Sequence, residues 1–219
     1  MRNYFRIIAY LLVLACYSSA YAGSYEDFFR ALKQDNDTAM AALLTRGFDP
    51  NTLDPKSLPG LYVALRDGSV KVARTLIDWP KTNVEVRTPQ DESPLMMAAL
   101  KGEIDLCKRL IARDADVNKP GWAPLHYAAT GGHVGIMELL LEHHAFIDAQ
   151  SPNGTTPLMM AAHYGTPAAV KLLLDAGADT AMRNQLGLTA IDFAHRANRQ
   201  DAANLIAASV RTSQPKGKW

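Results

Sequence analysis

A seven-residue pattern recurs four times in this chain at a nearly constant step. The copies occupy 93–99, 123–129, 156–162 and 189–195, and the proline or alanine at their second position recurs after 30, 33 and 33 residues. A fixed period of about 33 residues is typical of stacked supersecondary units, each contacting only its neighbours. The chain is therefore expected to form a repeat array, an architecture that usually presents a binding surface.

The residues of one unit predict a pair of short helices. Asn153-Gly154 favours a tight turn, because both residues tolerate positive φ. Thr156 can cap a helix with Pro157 in its first turn, and Gly177 suits the end of a second helix. Helices this short are marginal alone in water, so burial between neighbouring units has to stabilise them.

Three motifs of this unit together resemble the ankyrin repeat: Thr156-Pro157-Leu158, Ala161-Ala162 and Gly177-Ala178-Asp179. The resemblance covers about 24–210 and implies an all-α solenoid of helix-turn-helix units with short β-turn fingers. Six units are expected, with atypical first and last members as terminal caps require. Their approximate bounds are 24–55, 56–88, 89–118, 119–150, 151–183 and 184–210.

The beginning of the chain has the pattern of a secretory signal peptide over residues 1–22. Two arginines precede an uncharged apolar run, and a small-x-small ending predicts cleavage after Ala22. The run is far shorter than the ~20 residues of a membrane-spanning helix. A less favoured alternative is lipid attachment at Cys16, because Val13-Leu14-Ala15-Cys16 resembles a lipobox. The resemblance therefore extends to exported bacterial ankyrin proteins, and we expect a periplasmic location.

Charge and cysteine content narrow the functional classes. The formal charge is +1, and it becomes −1 when residues 1–22 are removed, because two arginines and no acid leave. A near-neutral chain offers no electrostatic argument for nucleic acid. Cys107 alone would remain, so no internal disulfide can form, and its register with Met137 predicts a packed, inert thiol. The polar segment 211–219 is expected to be a disordered tail.

No motif in the chain predicts catalysis. Gly-x-Ser-x-Gly and His-Glu-x-x-His are absent, and no histidine pair has the i,i+4 spacing of a helical zinc site. The resemblance instead gives His126 and His133 backbone and inter-repeat hydrogen bonds. We therefore expect no enzyme, cofactor or metal site.

Two features leave alternatives open. Met96-Met97 and Met159-Met160 either fill the core or form an exposed, oxidant-sensitive contact stripe, and core filling is favoured. Trp122 lies in a turn segment that is three residues shorter between Asn118 and Pro124 than its counterpart between Asp148 and Pro157. Its indole is either exposed or covers the gap left by the deletion.

The resemblance implies that partner contacts concentrate at turn tips and on the inward face of the first helix of each unit. Trp122, His163 and Tyr164 are the strongest candidates, because aromatic residues contribute heavily to interfaces. The complete predicted set is Gln90, Glu92, Lys101, Trp122, Thr130, Asn153, Thr155, His163, Tyr164, Leu188 and Arg196.

The leading functional hypothesis is a non-enzymatic, monomeric module that binds another exported protein in the periplasm through a preorganised surface. The alternative is an immunity or inhibitor protein that blocks an exported toxin or enzyme. Such a protein is expected to carry one strongly charged face, whereas the candidate positions here have mixed charge, with Lys101 and Arg196 beside neutral residues.

Overall fold

The computed structural model describes residues 23–213, with side chains to residue 211. The predicted signal peptide, Cys16 and residues 214–219 of the predicted tail lie outside these residues. The described residues form helices and turns without strands, and one isolated β-bridge pairs Leu53 with Pro59. The predicted all-α class is confirmed.

The helices follow one another in pairs, and chain contacts group them into two compact units that divide after Asn83. The first unit contains α1 (23–33), α2 (Asp37–Thr45), α3 (Gly60–Asp67) and α4 (Val70–Asp78). The second contains α5 (Pro94–Lys101), α6 (Ile104–Ile111), α7 (Pro124–Gly131), α8 (Val134–Glu142), α9 (Pro157–His163), α10 (Pro167–Asp175), α11 (Ala190–Arg196) and α12 (Gln200–Ser213). Each of the six predicted repeats therefore holds one helix pair, and α12 continues three residues past the boundary expected at 210.

The repeated pattern sets the start of the first helices in the second unit. Ser93 and Thr156 are N-caps whose hydroxyls accept the backbone N–H of Met96 and Met159, at 3.2 and 3.3 Å. Proline occupies the first helical position of α5, α7 and α9, where its missing N–H costs nothing. The same local signals thus produce helices of seven or eight residues.

Small residues let these first helices pack closely on one another. α5 contacts α7, α7 contacts α9 and α9 contacts α11. The alanine pairs, among them Ala128-Ala129 and Ala161-Ala162, are fully buried. At Gly165 an added Cβ would lie 2.4 Å from the carbonyl oxygen of Ala129, so only glycine permits this approach.

A ladder of side-chain hydrogen bonds joins the fingers, the turn segments between one repeat's second helix and the next repeat's first helix. In the second unit, side-chain oxygens of Glu85, Asn118 and Asp148 each accept one backbone N–H from the following finger, at 3.0, 2.7 and 3.0 Å. Asn118 also donates through its amide to the carbonyl of His144 at 2.8 Å. These bonds fix the spacing of successive fingers.

Sulfur-containing side chains mostly fill the core. Met96, Met97 and Met159 are buried, which confirms core filling and excludes them from an exposed stripe, whereas Met160 is half-buried. Cys107 is fully buried, and burial raises the pKa of its thiol to about 12. The packed position expected for this thiol is confirmed. No helix in the described part of the chain is long and apolar enough to cross a bilayer.

Candidate functional site

Two positions of each first helix, four and seven residues after the N-cap, lie on one side of that helix because they are three residues apart. We call the surface they form in the second unit the inner face. Most of its members are half-buried, while Met97 is buried and Arg196 exposed. The inner face consists of Met97, Leu100, Tyr127, Thr130, Met160, His163, Phe193 and Arg196.

The middle of the inner face contains a cavity of about 250 Å³. Three of its lining side chains come from α7, one each from α5 and α9, and one from the finger before α7. The lining residues are Leu100, Trp122, His126, Tyr127, Thr130 and Met160. Carbon and sulfur atoms therefore dominate its wall.

The short finger before α7 explains why Trp122 reaches the cavity. Gly121 adopts a left-handed conformation with φ of 80°, which turns the chain directly into Ala123 and the helix. The Trp122 indole is half-buried and meets the His126 ring edge-on, with centroids 5.2 Å apart. Both expectations for Trp122 are thus partly met, because one part of the ring covers His126 and another part remains open.

His126 is a fixed, neutral imidazole. The backbone N–H of Ala123 donates to Nδ1 at 3.1 Å, so Nε2 carries the proton and donates to the carbonyl of Thr155 at 2.9 Å. Burial lowers the pKa of His126, which outweighs the opposing effect of its backbone hydrogen bonds. The imidazole therefore joins two successive fingers without adding charge to the cavity.

The hydroxyls of the cavity lining are engaged within the protein. Tyr127 Oη donates to the Glu92 carboxylate at 3.1 Å, and Thr130 Oγ1 donates to the His126 carbonyl at 2.7 Å. The first of these bonds ties a lining residue of the mostly apolar cavity to a carboxylate. The lining is therefore organised before any ligand arrives.

A family model described as ankyrin repeats, in three copies, matches residues 28–120, 61–151 and 125–214. The chain belongs to the ankyrin-repeat family. A crystal structure of an ankyrin repeat domain from Acinetobacter baumannii superposes with a TM-score of 0.69, covering 84% of this chain and 97% of that one. Their sequences are 22% identical, so this likeness shows the fold alone.

Curated relatives share the repeats and are much longer. Mouse ankyrin repeat and SAM domain-containing protein 6 is 39% identical over 127 residues, which are 56% of this chain and 14% of that protein. Neurogenic locus notch homolog protein 1 of Xenopus tropicalis is 34% identical over 122 residues, 54% of this chain and 5% of that protein. The chain therefore spans a small part of either relative, although ankyrin repeats generally mediate protein–protein interaction.

Some residues predicted to contact a partner do lie at this ankyrin inner face. Trp122 and Thr130 line the cavity, and Glu92 is linked to it through Tyr127. His163 and Leu188 are half-buried, and five more are exposed without lining the cavity. These exposed residues are Gln90, Lys101, Asn153, Tyr164 and Arg196.

The prediction that Thr155 is a surface contact is wrong. Its side chain is 2% exposed, its carbonyl accepts the proton of His126 Nε2, and its backbone N–H donates to Ser151 Oγ at 3.0 Å. Placement near the turn tip suggested exposure, but the turn folds back against the preceding ankyrin repeat. Thr155 therefore has a structural role.

An aromatic group lies beyond the cavity on the same face. The His163 ring packs edge-on against Tyr164 with centroids 4.1 Å apart and lies 6.0 Å from Phe193. His163 Nδ1 is 3.2 Å from the carbonyl of Phe193. Tyr164 is 59% exposed, so the group extends the apolar surface of the inner face toward α11.

The predicted contact set lacks five members of the inner face: Met97, Leu100, Tyr127, Met160 and Phe193. They are mostly apolar and occupy helices, where hydrophobicity alone does not separate contact residues from core. The signal that identifies them is the count of four and seven residues from each N-cap, combined with the short finger that exposes the middle of the inner face.

Within residues 23–213, no group of three or more His, Cys, Asp or Glu side chains is placed to hold a metal ion.

Proposed function

We propose that this ankyrin protein is a non-enzymatic binding module that binds another protein through the inner face of its second unit. The supporting observation is the cavity, where aromatic and aliphatic side chains stay half-buried while the hydroxyls of Tyr127 and Thr130 are engaged internally. Half-buried aromatics around a preorganised depression are the usual anchors of an interface. A partner side chain that enters the cavity would remove this apolar surface from water.

We further propose that the protein acts after export, in the periplasm of a bacterium, on a partner that is itself exported. The pattern of residues 1–22 supports this location. Fractionation of cells that express the full chain is the test. Mature protein lacking residues 1–22 is expected in the periplasmic fraction, and full-length protein in the cytoplasm contradicts the proposal.

The inhibitor or immunity alternative has less support. A protein that blocks an enzyme's active site through charge needs a strongly charged surface, yet seven of the eight inner-face residues carry no formal charge with histidine neutral, Arg196 being the exception. The surface favours an apolar anchor over electrostatic blocking.

The partner-binding proposal is tested with two matched variants. Trp122→Ala removes a ring of the cavity, and Leu186→Ala removes an exposed hydrophobic side chain, 76% accessible, in a finger outside the cavity. The partner is captured from periplasmic extract with the wild-type protein, purified, and titrated against both variants. Trp122→Ala is expected to weaken binding by about 30-fold, in the range of an interface hot spot of about 2 kcal/mol.

Leu186→Ala is expected to bind within about twofold of wild type, since a peripheral contact contributes little. Circular dichroism of both variants checks that they remain folded. Equal affinities of Trp122→Ala and wild type would contradict the assignment of the inner face.

A further inference from the structure

We propose that the cavity of the inner face binds an alkylammonium group, as carried by a lysine side chain of the partner protein. This inference rests on the proposed function and adds the chemistry of the group that is recognised. It follows from three properties of the cavity: its aromatic rings, its size, and the sign of the charge that is hydrogen-bonded to its lining.

The rings of Trp122 and Tyr127 both line the cavity, together with the thioether of Met160. The face of an aromatic ring carries negative partial charge and attracts cations, most strongly when the cation is removed from water. The aliphatic Leu100 completes a wall that suits the methylene stem of a lysine side chain. The lining therefore fits both parts of an alkylammonium group.

The cavity is sized for a side chain. Its volume of about 250 Å³ lies below the range of about 300–1,000 Å³ for pockets that hold drug-sized ligands. A single linear side chain is thus a better occupant than a cofactor or a folded segment.

The charges around the cavity favour a cation. The Tyr127 hydroxyl, which belongs to a lining residue, donates to the Glu92 carboxylate, so a negative charge is bonded directly to the lining. His126 contributes no positive charge, because Ala123 N–H occupies Nδ1. The buried ammonium of Lys119 is paired with the Asp91 carboxylate. Lys101 follows the lining residue Leu100, but its side chain is exposed, where water and salt screen its charge.

An uncharged aliphatic side chain is the competing occupant. Hydrophobic burial would favour it equally, but it would gain nothing from the aromatic faces or from Glu92. A pair of probes with the same shape and different charge therefore separates the two possibilities. Choline and 3,3-dimethyl-1-butanol differ only in a quaternary nitrogen replaced by carbon.

Each probe is titrated into ¹⁵N-labelled protein, and the Trp122 indole N–H signal, assigned with Trp122→Phe, reports binding at the cavity. Choline is expected to bind about tenfold more tightly than the neutral probe, as a cation–π contact of about 1.4 kcal/mol predicts. Glu92→Gln is expected to weaken choline several-fold and leave the neutral probe unchanged. Equal affinities for the two probes, or no shift of the indole signal with choline, would overturn the inference.

A third probe, Nα-acetyl-lysine methylamide, distinguishes a protein side chain from a small quaternary amine. Binding comparable to choline supports the lysine source, and its absence with choline binding retained overturns that source. The two tests are independent. Equal affinities for choline and the neutral probe would overturn the alkylammonium inference alone, whereas unchanged partner affinity in Trp122→Ala would contradict the proposed function.

Discussion

The repeats built on α7 and α9 have nearly the same helices and differ in what precedes them. The finger before α9 is full length and closes with a bond from Ser151 N–H to the Thr155 carbonyl at 3.0 Å. The finger before α7 is shorter and places Trp122 beside the cavity. The comparison indicates that the helix pair sets the fold, whereas finger length controls which part of the inner face is open.

The same two repeats also differ at the third residue of the helix. His126 Nδ1 and the sulfur of Met159 each accept the N–H of their own N-cap, at 3.1 and 3.4 Å. In α5 and α11, the sulfur of Met96 and a carboxylate oxygen of Asp192 accept the N–H of the N-cap residue, at 3.3 and 2.8 Å. Imidazole, thioether and carboxylate therefore fulfil one capping role, but only His126 also bonds to the next finger.

The largest effect is expected from His126→Ala. The substitution leaves the buried Ala123 N–H without a partner, which costs about 1–3 kcal/mol, and takes from the Thr155 carbonyl one of its two donors, the other being Ser151 N–H. It also removes a fully buried ring, which adds the cost of a cavity. The free energy of unfolding should fall by about 3–4 kcal/mol, measured by urea denaturation.

His126→Met is the matched control, because it copies the residue that α5 and α9 already use. A thioether can still accept the Ala123 N–H, so the loss should be about 1–2 kcal/mol. If His126→Met proved as destabilising as His126→Ala, the capping role assigned to this position would be wrong.

The second test lengthens the short finger. Inserting Asn-Gly-Thr between Pro120 and Gly121 brings the segment to the length found before α9. The added loop entropy is small, below about 1 kcal/mol, so the protein should stay folded. Partner affinity should fall at least tenfold because Trp122 moves away from the cavity. Unchanged affinity would show that finger length does not control the site.

The third test uses pH. The pKa of His126 is lowered in the folded protein, so the unfolded chain takes up this proton first, near the ordinary value of about 6.5. The contribution of neutral His126 to the free energy of unfolding is therefore complete above that pH. Below it, the free energy of unfolding falls by at most about 1.4 kcal/mol per pH unit, until His126 is protonated in the folded state as well.

Urea denaturation between pH 7.5 and 5 should show this slope in wild type and a shallower one in His126→Met. Identical slopes would mean that other groups control the acid sensitivity.

The smallest effect is expected at Asp148, which occupies the position that Asn118 has in the preceding repeat. Burial raises the pKa of Asp148, and the charge of the neighbouring Asp179 raises it by a smaller amount. The hydrogen bond that Asp148 accepts from Asp179 N–H opposes this shift. Asp148→Asn keeps an acceptor oxygen and removes the charge. It should stabilise the protein by about 0.5 kcal/mol or less, visible as a small rise in thermal midpoint. A clear destabilisation would contradict the claim that the side chain at position 148 needs only an acceptor oxygen to join the two fingers.

The fold was predictable because it depends on local signals. Thr156-Pro157 begins a helix, and the alanine pairs allow close packing wherever they occur. The hydrogen bonds of His126 to a neighbouring repeat also followed from its position in the pattern. Burial of Cys107 followed from its register on a second helix.

The site was predicted less well because it depends on how turns fold back. Thr155 is close to a turn tip in sequence, yet the bond from His126 draws it into the interior. Tyr127 is absent from the predicted contact set and core filling was favoured for Met160, since hydrophobicity alone does not distinguish the packed side of a short helix from its open side. The three-residue deletion before Pro124 pointed to Trp122 but not to the cavity behind it.

The central claim is that the partner contacts the inner face of the second unit. Photo-crosslinking tests it most directly, with p-benzoylphenylalanine placed at Tyr127, on the inner face, or at Glu138, an exposed residue of the second helix α8. The account predicts a crosslinked complex from the Tyr127 position and little from the Glu138 position. Efficient crosslinking from Glu138 with none from Tyr127 would contradict it.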